Sequence, residues 1–307
     1  MADAERAGVT GTGGPQGRFA GMDETRAIWL VNNSSSGSND DDALQALERC
    51  CGEHGFHVAQ RTTFPAQDLP TPAVLDAAEI GVAAVFAGDG TINALISALA
   101  GWRGAVLVLP GGTMNLLFHR LHGEDRTLEQ VVADVAHDRY RLHRPGIVRS
   151  PVGDALAGVL AGPGTSWNQV REAMRDNAVI DLARNAAGAI AETVGGEMIA
   201  CVEPKLGRPE GYPLIMLTPT EAGIELEAYH AETASDYLGQ AWALAKRNFR
   251  EGPHTLLGVV KHLRLASVSG DPFGLLIDGE PKDQAPQVEF SFAQCEVDLM
   301  MTAPDAG

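Results

Sequence analysis

The sequence predicts an α/β fold, a mainly parallel sheet flanked by helices, followed by a second, mainly antiparallel β domain. Three observations carry this expectation. Apolar runs of strand length alternate with segments of helical period between residues 27 and 136. Two of those strands run straight into glycine–threonine turns that open helices. Beyond about Tyr140 the texture changes to short apolar stretches separated by Gly, Pro and charged turns.

The elements follow in order. Ala27 to Val31 is a buried strand, and a polar, turn-rich stretch runs from Asn32 to Asp42. Leu44, Leu47 and Cys51 recur at helical spacing behind Asp40–Asp42, which suit a helix N-terminus, and Gly55 ends that helix. Phe56 to Thr62 is a second strand, followed by a Pro-rich loop and a short helix. Val82 to Ala87 is a third strand, and Ile92, Leu95, Ile96 and Leu99 mark one helix face after it. Ala105 to Leu109 leads into a further helix, and Leu128 to Ala136 into another. In the second half, strands are expected at Leu214–Thr218, Ile224–Tyr229, His262–Val268 and Phe273–Ile277, with one helix from about Ala234 to Arg250. The expected division is a disordered tail at 1–22, an α/β domain at 23–142 and a β-rich domain at 143–307. The last residues are allowed to pack back on the first domain.

The bulk composition removes several function classes. A formal net charge of −17 argues against a nucleic-acid partner, which needs basic patches for phosphates. Aromatic residues make up 6%, too few for stacking surfaces. No apolar run approaches the ~20 residues of a spanning helix. Cys50, Cys51, Cys201 and Cys295 show no CxxC spacing and read as reduced, buried thiols.

Two turns carry the chemistry. In Ala87-Gly88-Asp89-Gly90-Thr91-Ile92-Asn93, the glycines permit positive φ and close approach of the backbone to a ligand. Thr91 can cap the helix, whose first N–H groups would face a phosphate. Alone, such a tripeptide is more often an ordinary strand-to-helix turn. Leu109-Pro110-Gly111-Gly112-Thr113-Met114-Asn115 repeats the pattern at the next strand–helix junction. Two such turns on successive units place two helix N-termini at one sheet edge, where ligands bind. Neither is a Walker A loop, and neither contains a lysine. His119 and His122, three apart, read as a polar helix face, and there is no GxSxG elbow to start a hydrolase triad.

With these motifs the chain resembles the diacylglycerol kinase catalytic-domain family, which includes bacterial lipid kinases, sphingosine kinases and ceramide kinases. AGDGTIN at 87–93 is similar to its GGDGTxN signature and LPGGTMN at 109–115 to its PxGTxN loop. Asn33-Ser34-Ser35-Ser36-Gly37 looks like a degraded NPxSG motif, and Ile277-Asp278-Gly279-Glu280 is similar to the late DGE motif. The resemblance implies an NAD-kinase-like Rossmannoid nucleotide domain, ATP and Mg2+ as cofactors, and phosphorylation of a lipid hydroxyl. It further implies that Gly88, Asp89, Gly90, Thr91, Ile92 and Asn93 bind the ATP phosphates. Gly112, Thr113 and Asn115 would contact the nucleotide, with Asn33, Ser36 and Gly37 near the phosphates and Thr62 or Thr63 as a further contact. Glu280 matches the family's proton acceptor, Asp278 would orient it or help hold magnesium, and Asp89 would act with them. The turn Asp278-Gly279 also reads as a plain hairpin turn.

One departure concerns the metal. Where the family carries a DGxL segment, this chain reads Pro219-Thr220-Glu221-Ala222-Gly223-Ile224-Glu225, with Ala222 at the aspartate's place. Glu221, Glu225 or, two residues on, Glu227 could compensate, or the metal is held differently; Asp89, Glu221 and Glu225 are the candidate metal ligands. Two rival readings stay open: a kinase of a soluble substrate, of the NAD-kinase kind, and an inactive nucleotide- or lipid-binding relative. The resemblance also implies a cytoplasmic protein that meets lipid at a membrane surface, and it is compatible with a homodimer. Lys246, Arg247, Arg250 and Lys261, beside Trp242 and Phe249, form the densest late cationic cluster. They read equally well as a docking patch or a solvated helix face.

Overall fold

The computed structural model describes residues 26–33, 41–112, 114–162, 198–229 and 254–303. The expected tail at 1–22, Ser36, Gly37, Thr113, the helix at 234–250 and the cations Lys246, Arg247 and Arg250 lie outside them, as do Trp242 and Phe249.

The first half builds one six-stranded sheet from β1 (Arg26–Asn33), β2 (Phe56–Phe64), β3 (Val82–Ala87), β4 (Ala105–Pro110), β5 (Arg141–His143) and β18 (Asp298–Met301). Their order is β2-β1-β3-β4-β18-β5, parallel throughout except for β5. All six residues of β3 are buried, as expected of a strand covered on both faces. The helices are α1 (Asp41–Glu53), α2 (Pro72–Ala77), α3 (Asp89–Ala98), α4 (Leu116–His122) and α5 (Leu128–Ala136). Thr71 caps α2 with Pro72 at its first position, and Thr127 with Gln130 forms a capping box on α5. From β1 the chain steps to β2 on one side and then to β3 on the other. The sheet's switch point therefore lies between the carboxyl ends of β1 and β3.

The second half forms two further six-stranded antiparallel sheets. One has the order β10 (Lys205–Leu206), β9 (Ile199–Glu203), β14 (His262–Ser267), β17 (Gln287–Gln294), β6 (Gly146–Ser150), β7 (Gly153–Ala155). The other runs β13 (His254–Val260), β12 (Ile224–Tyr229), β11 (Leu214–Pro219), β8 (Val159–Gly162), β15 (Phe273–Ile277), β16 (Glu280–Ala285). Inward residues of both, among them Val148, Leu217, Leu226, Leu265, Phe273 and Phe290, share one apolar core. The chain then returns, and β18 lies parallel to β4 inside the first sheet. No helix among the described residues is long and apolar enough to cross a membrane.

Two expectations are corrected. His122 is not part of a polar helix face. It is buried, with Nε2 on the Val108 carbonyl (3.1 Å) and Nδ1 on the Thr302 hydroxyl (2.9 Å). The carbonyl can only accept, so Nε2 carries the proton. Burial pushes the ring's pKa down to about 4, which keeps it neutral. The side chain ties α4 to β4 and to the residues after β18. The second correction is that Gly88, not Thr91, is the N-cap of α3. The four cysteines are buried and unpaired, as expected.

Candidate active site

Both glycine turns sit at the carboxyl edge of the first sheet, and their backbones touch. A Cβ added to Gly112 would stand 2.5 Å from Gly88 Cα, so no side chain fits at Gly112, whereas one on Gly88 would stand 3.6 Å from Gly112 Cα, in ordinary contact. Neither Gly88 nor Gly90 has positive φ. The left-handed backbone that the sequence suggested is therefore not used at either position. A Cβ on Gly90 would stand 3.3 Å from Cγ and Oε1 of Glu280. The carboxyl of the DGE turn therefore lies over the GDG turn, from the far end of the sequence. Met114 closes the triangle, its Sδ 3.7 Å from where a Cβ on Gly279 would be.

The DGE segment is also a hairpin turn, between β15 and β16. Ile277 pairs with Glu280 across it, and Asp278 and Gly279 both hold positive φ (48° and 82°), as a type I′ hairpin requires. The plain reading and the functional one describe the same two residues. The turn is pinned by the Asp278 carboxylate, which is 6% exposed. Oδ2 accepts from Asn93 Nδ2 (2.9 Å) and Leu156 N (2.8 Å), and Oδ1 from Ala157 N (2.8 Å) and Gly158 N (3.0 Å). Burial pushes this carboxyl's pKa up, while the backbone amides and Asn93 pull it down. With four N–H donors around it, Asp278 has its acceptor sites filled and fixes the turn that carries Glu280. Asn93 also donates to the Asp154 carbonyl (2.7 Å), so the last residue of AGDGTIN fastens α3 to the β-rich half.

Asp89 is similarly engaged. Its Oδ2 accepts from Leu116 N and its Oδ1 from Leu117 N, both at 3.1 Å. It thus caps α4, whose own N-cap residue, Asn115, is left-handed and gives no side-chain cap. Burial pushes the Asp89 carboxyl up to about 6 against the pull of those two amides. Asn115 instead closes its own loop, accepting from Gly112 N (2.8 Å) and donating to Gly112 O (3.0 Å).

The remaining predicted residues divide. Asn33, at the end of β1, donates to Thr91 Oγ1 (2.9 Å), which joins the first strand to the GDG turn across the switch point. Ile92 is fully buried in the first core. Thr62 is turned into that core, where its hydroxyl accepts from Trp29 Nε1 (2.9 Å). Thr63, the alternative, lies opposite Asn32, to whose Oδ1 it donates (3.2 Å). Alternation along β2 sends adjacent threonines to opposite faces, and no sequence signal says which faces a ligand.

The proposed metal set does not assemble. Glu221 is exposed and faces His143 Nε2 at 3.2 Å, while Glu225 lies on β12 opposite Thr218 and Val259. No group of three His, Cys, Asp or Glu suited to a metal ion exists among the described residues. Asp89 and Asp278 already accept from backbone and amide N–H groups. These residues do not fit a protein-ligated magnesium ion.

The site opens on a cleft of ≈ 190 Å3 lined by Gly90, Asn93, Gly153, Asp154, Glu280 and Lys282, with Ala94, Ile277 and Asp278. Lys282 carries no signal in the motifs and was missed from sequence. It could have been found only by extending the strand period two residues past Glu280.

Residues 26–143 match the family model of the diacylglycerol kinase catalytic domain, which points to a kinase. A diacylglycerol kinase from Bacillus anthracis str. Sterne is similar in structure, with a TM-score of 0.56 at 14% identity, covering 91% of this chain and 98% of that one. Two structures of candidate diacylglycerol kinases from the same organism give 0.57 and 0.56, each at 13% identity. They cover 91% and 93% of this chain, and 98% and 100% of theirs. At such identity the likeness is one of fold. A search of curated proteins finds no match.

Proposed function

We propose, on the premise that residues 26–143 are a diacylglycerol kinase catalytic domain, that this protein transfers the γ-phosphoryl group of ATP to a lipid hydroxyl. Residues 23–142 serve as the nucleotide domain, of the NAD-kinase kind, and 143–307 as the acceptor domain. The observation that best supports this is the position of the Glu280 carboxyl, 3.3 Å from the space that a side chain on Gly90 would occupy.

In this reading the phosphates lie at the start of α3. The N–H groups of Asp89 and Gly90 have no intrahelical acceptor there, and Gly88 offers no side-chain cap. Asp89 holds α4 in place beside them, and Asn33 fixes Thr91. Glu280 accepts the proton of the acceptor hydroxyl as its oxygen attacks phosphorus. Asp278 and Asn93 hold Glu280 at the right depth by fixing its turn to α3. Magnesium, which would neutralise phosphate charge, would have to be held by groups other than these side chains. No protein ligand is assigned to it.

The acceptor is proposed to be diacylglycerol, a sphingoid base or ceramide, met at a membrane surface from the water side. The net charge of −17 opposes approach to an anionic bilayer, so local cations would be needed. Of the sequence's cationic cluster, Lys261 is described. It is exposed, with Nζ 3.7 Å from the Phe292 ring centroid.

An acceptor panel tests the proposal. With ATP and magnesium, the protein should phosphorylate at least one of these lipids in mixed micelles, and none of NAD, nucleosides or soluble sugars. Phosphorylation of NAD without any lipid would replace this reading with a soluble-substrate kinase. Nucleotide binding without turnover on any acceptor would leave the inactive relative.

A further inference from the structure

The nucleotide loops of this chain contain no lysine, and the cleft they open on is rich in carboxylates: Asp154, Asp278 and Glu280 all line it. A terminal phosphate carries negative charge, and so does the protein as a whole. Transfer through such a cleft calls for a cation aimed at the phosphoryl oxygens.

Of the residues lining that cleft, one is cationic: Lys282. It lies two residues after Glu280 on β16, so the period of a strand places both side chains on one face. Its stem runs along Gly153, with Cε 3.9 Å from where a Cβ of that glycine would stand. The neighbouring carboxylates are already committed. Asp154 is held bidentately by Arg149 at 2.9–3.2 Å, and Asp278 by its four N–H donors. Among the described residues no ion pair or hydrogen bond occupies the Lys282 ammonium. A half-buried lysine beside three carboxylates, bound to none of them, is arranged for a ligand that brings its own negative charge.

We propose that Lys282 contacts the terminal phosphoryl group of the bound nucleotide, which it holds between Gly90 and Glu280. This rests on the phosphotransferase reading and assigns the charge that a Walker lysine supplies elsewhere to the strand after the DGE turn. During transfer, the acceptor oxygen forms its bond to the γ-phosphorus as the bond to the bridging oxygen of ADP breaks. The acceptor's proton goes to Glu280. Lys282 keeps its proton throughout and donates hydrogen bonds to non-bridging oxygens.

Calorimetric titration of ATP and ADP tests this without any acceptor. The wild type should bind ATP more tightly than ADP. Lys282→Met should weaken ATP by about 10-fold or more, the scale of a hydrogen bond to a charged group, and leave ADP nearly unchanged. Lys282→Arg, which retains the charge, should recover most of the loss. If Lys282→Met does not fold, Lys282→Gln is decided by the same ATP-to-ADP ratio. An unchanged ratio overturns the assignment, and if Glu280→Gln still lowers kcat by about 10²-fold or more, the kinase reading survives that failure. A wild-type protein that binds neither nucleotide overturns both.

Discussion

Replacement of Glu280 by Gln should lower kcat by about 10²-fold or more, the usual cost of a lost general base, while ATP affinity stays nearly constant. The amide keeps the size of the side chain and part of its hydrogen bonding, so the cleft and the turn should persist. What it loses is the ability to take a proton from the attacking hydroxyl. The expectation is specific to Glu280 because its carboxyl is the one that lies over Gly90. Asp89 caps α4, Asp278 is wrapped by four donors, and Asp154 is paired with Arg149. Single-turnover kinetics with saturating ATP separates this loss from one of binding. An unaltered kcat would refute the role.

The second large effect concerns stability. Asp278→Ala removes the acceptor of four N–H groups at once, on Asn93, Leu156, Ala157 and Gly158. A buried donor left without a partner costs about 1–3 kcal/mol. Water entering the gap recovers part of that, so a net loss of about 3 kcal/mol or more is expected. Asp278→Asn should be milder but still costly, because its NH2 must face N–H donors on one side. Both variants free the turn from α3 and should lose activity with Glu280 intact. Denaturant unfolding monitored by circular dichroism measures the loss. A midpoint for Asp278→Ala equal to that of the wild type would show that these hydrogen bonds do not hold the turn.

Much of the α/β half was legible because its signals are local. The runs at 27–31, 82–87 and 105–109 are apolar on both faces and bounded by turns, and the structure extends them by no more than two residues at either end. The strand at 224–229 was placed to the residue and that at 262–268 within one residue. What escaped depends on long-range pairing. Asp298–Met301 is four residues long, and its place beside β4 comes from a partner nearly two hundred positions away.

The site shows the same division. Its motifs named the turns, but not what each side chain does. Asp89 reads as a phosphate-facing acid because it lies between two glycines. It is instead the cap of a helix that begins 27 residues later. Thr62 and Thr63 are equivalent in sequence, and only the position of Trp29 shows that Thr62 belongs to the core. Glycine at 88 and 90 suggested unusual dihedral angles that neither adopts, and the close backbone approach falls at Gly112 instead. Ala222 stands at the aspartate's place in the short turn joining β11 to β12, and no metal-suited cluster includes its neighbours among the described residues.

In the proposed reading the GDG turn, the PGG turn and the DGE turn converge to form a phosphoryl-transfer site. A crystal structure with a non-hydrolysable ATP analogue tests it most directly. The terminal phosphate is expected at the start of α3, against Gly90 and within reach of Glu280 and Lys282. A nucleotide found elsewhere on the first sheet, with its phosphates away from the DGE turn, would contradict it.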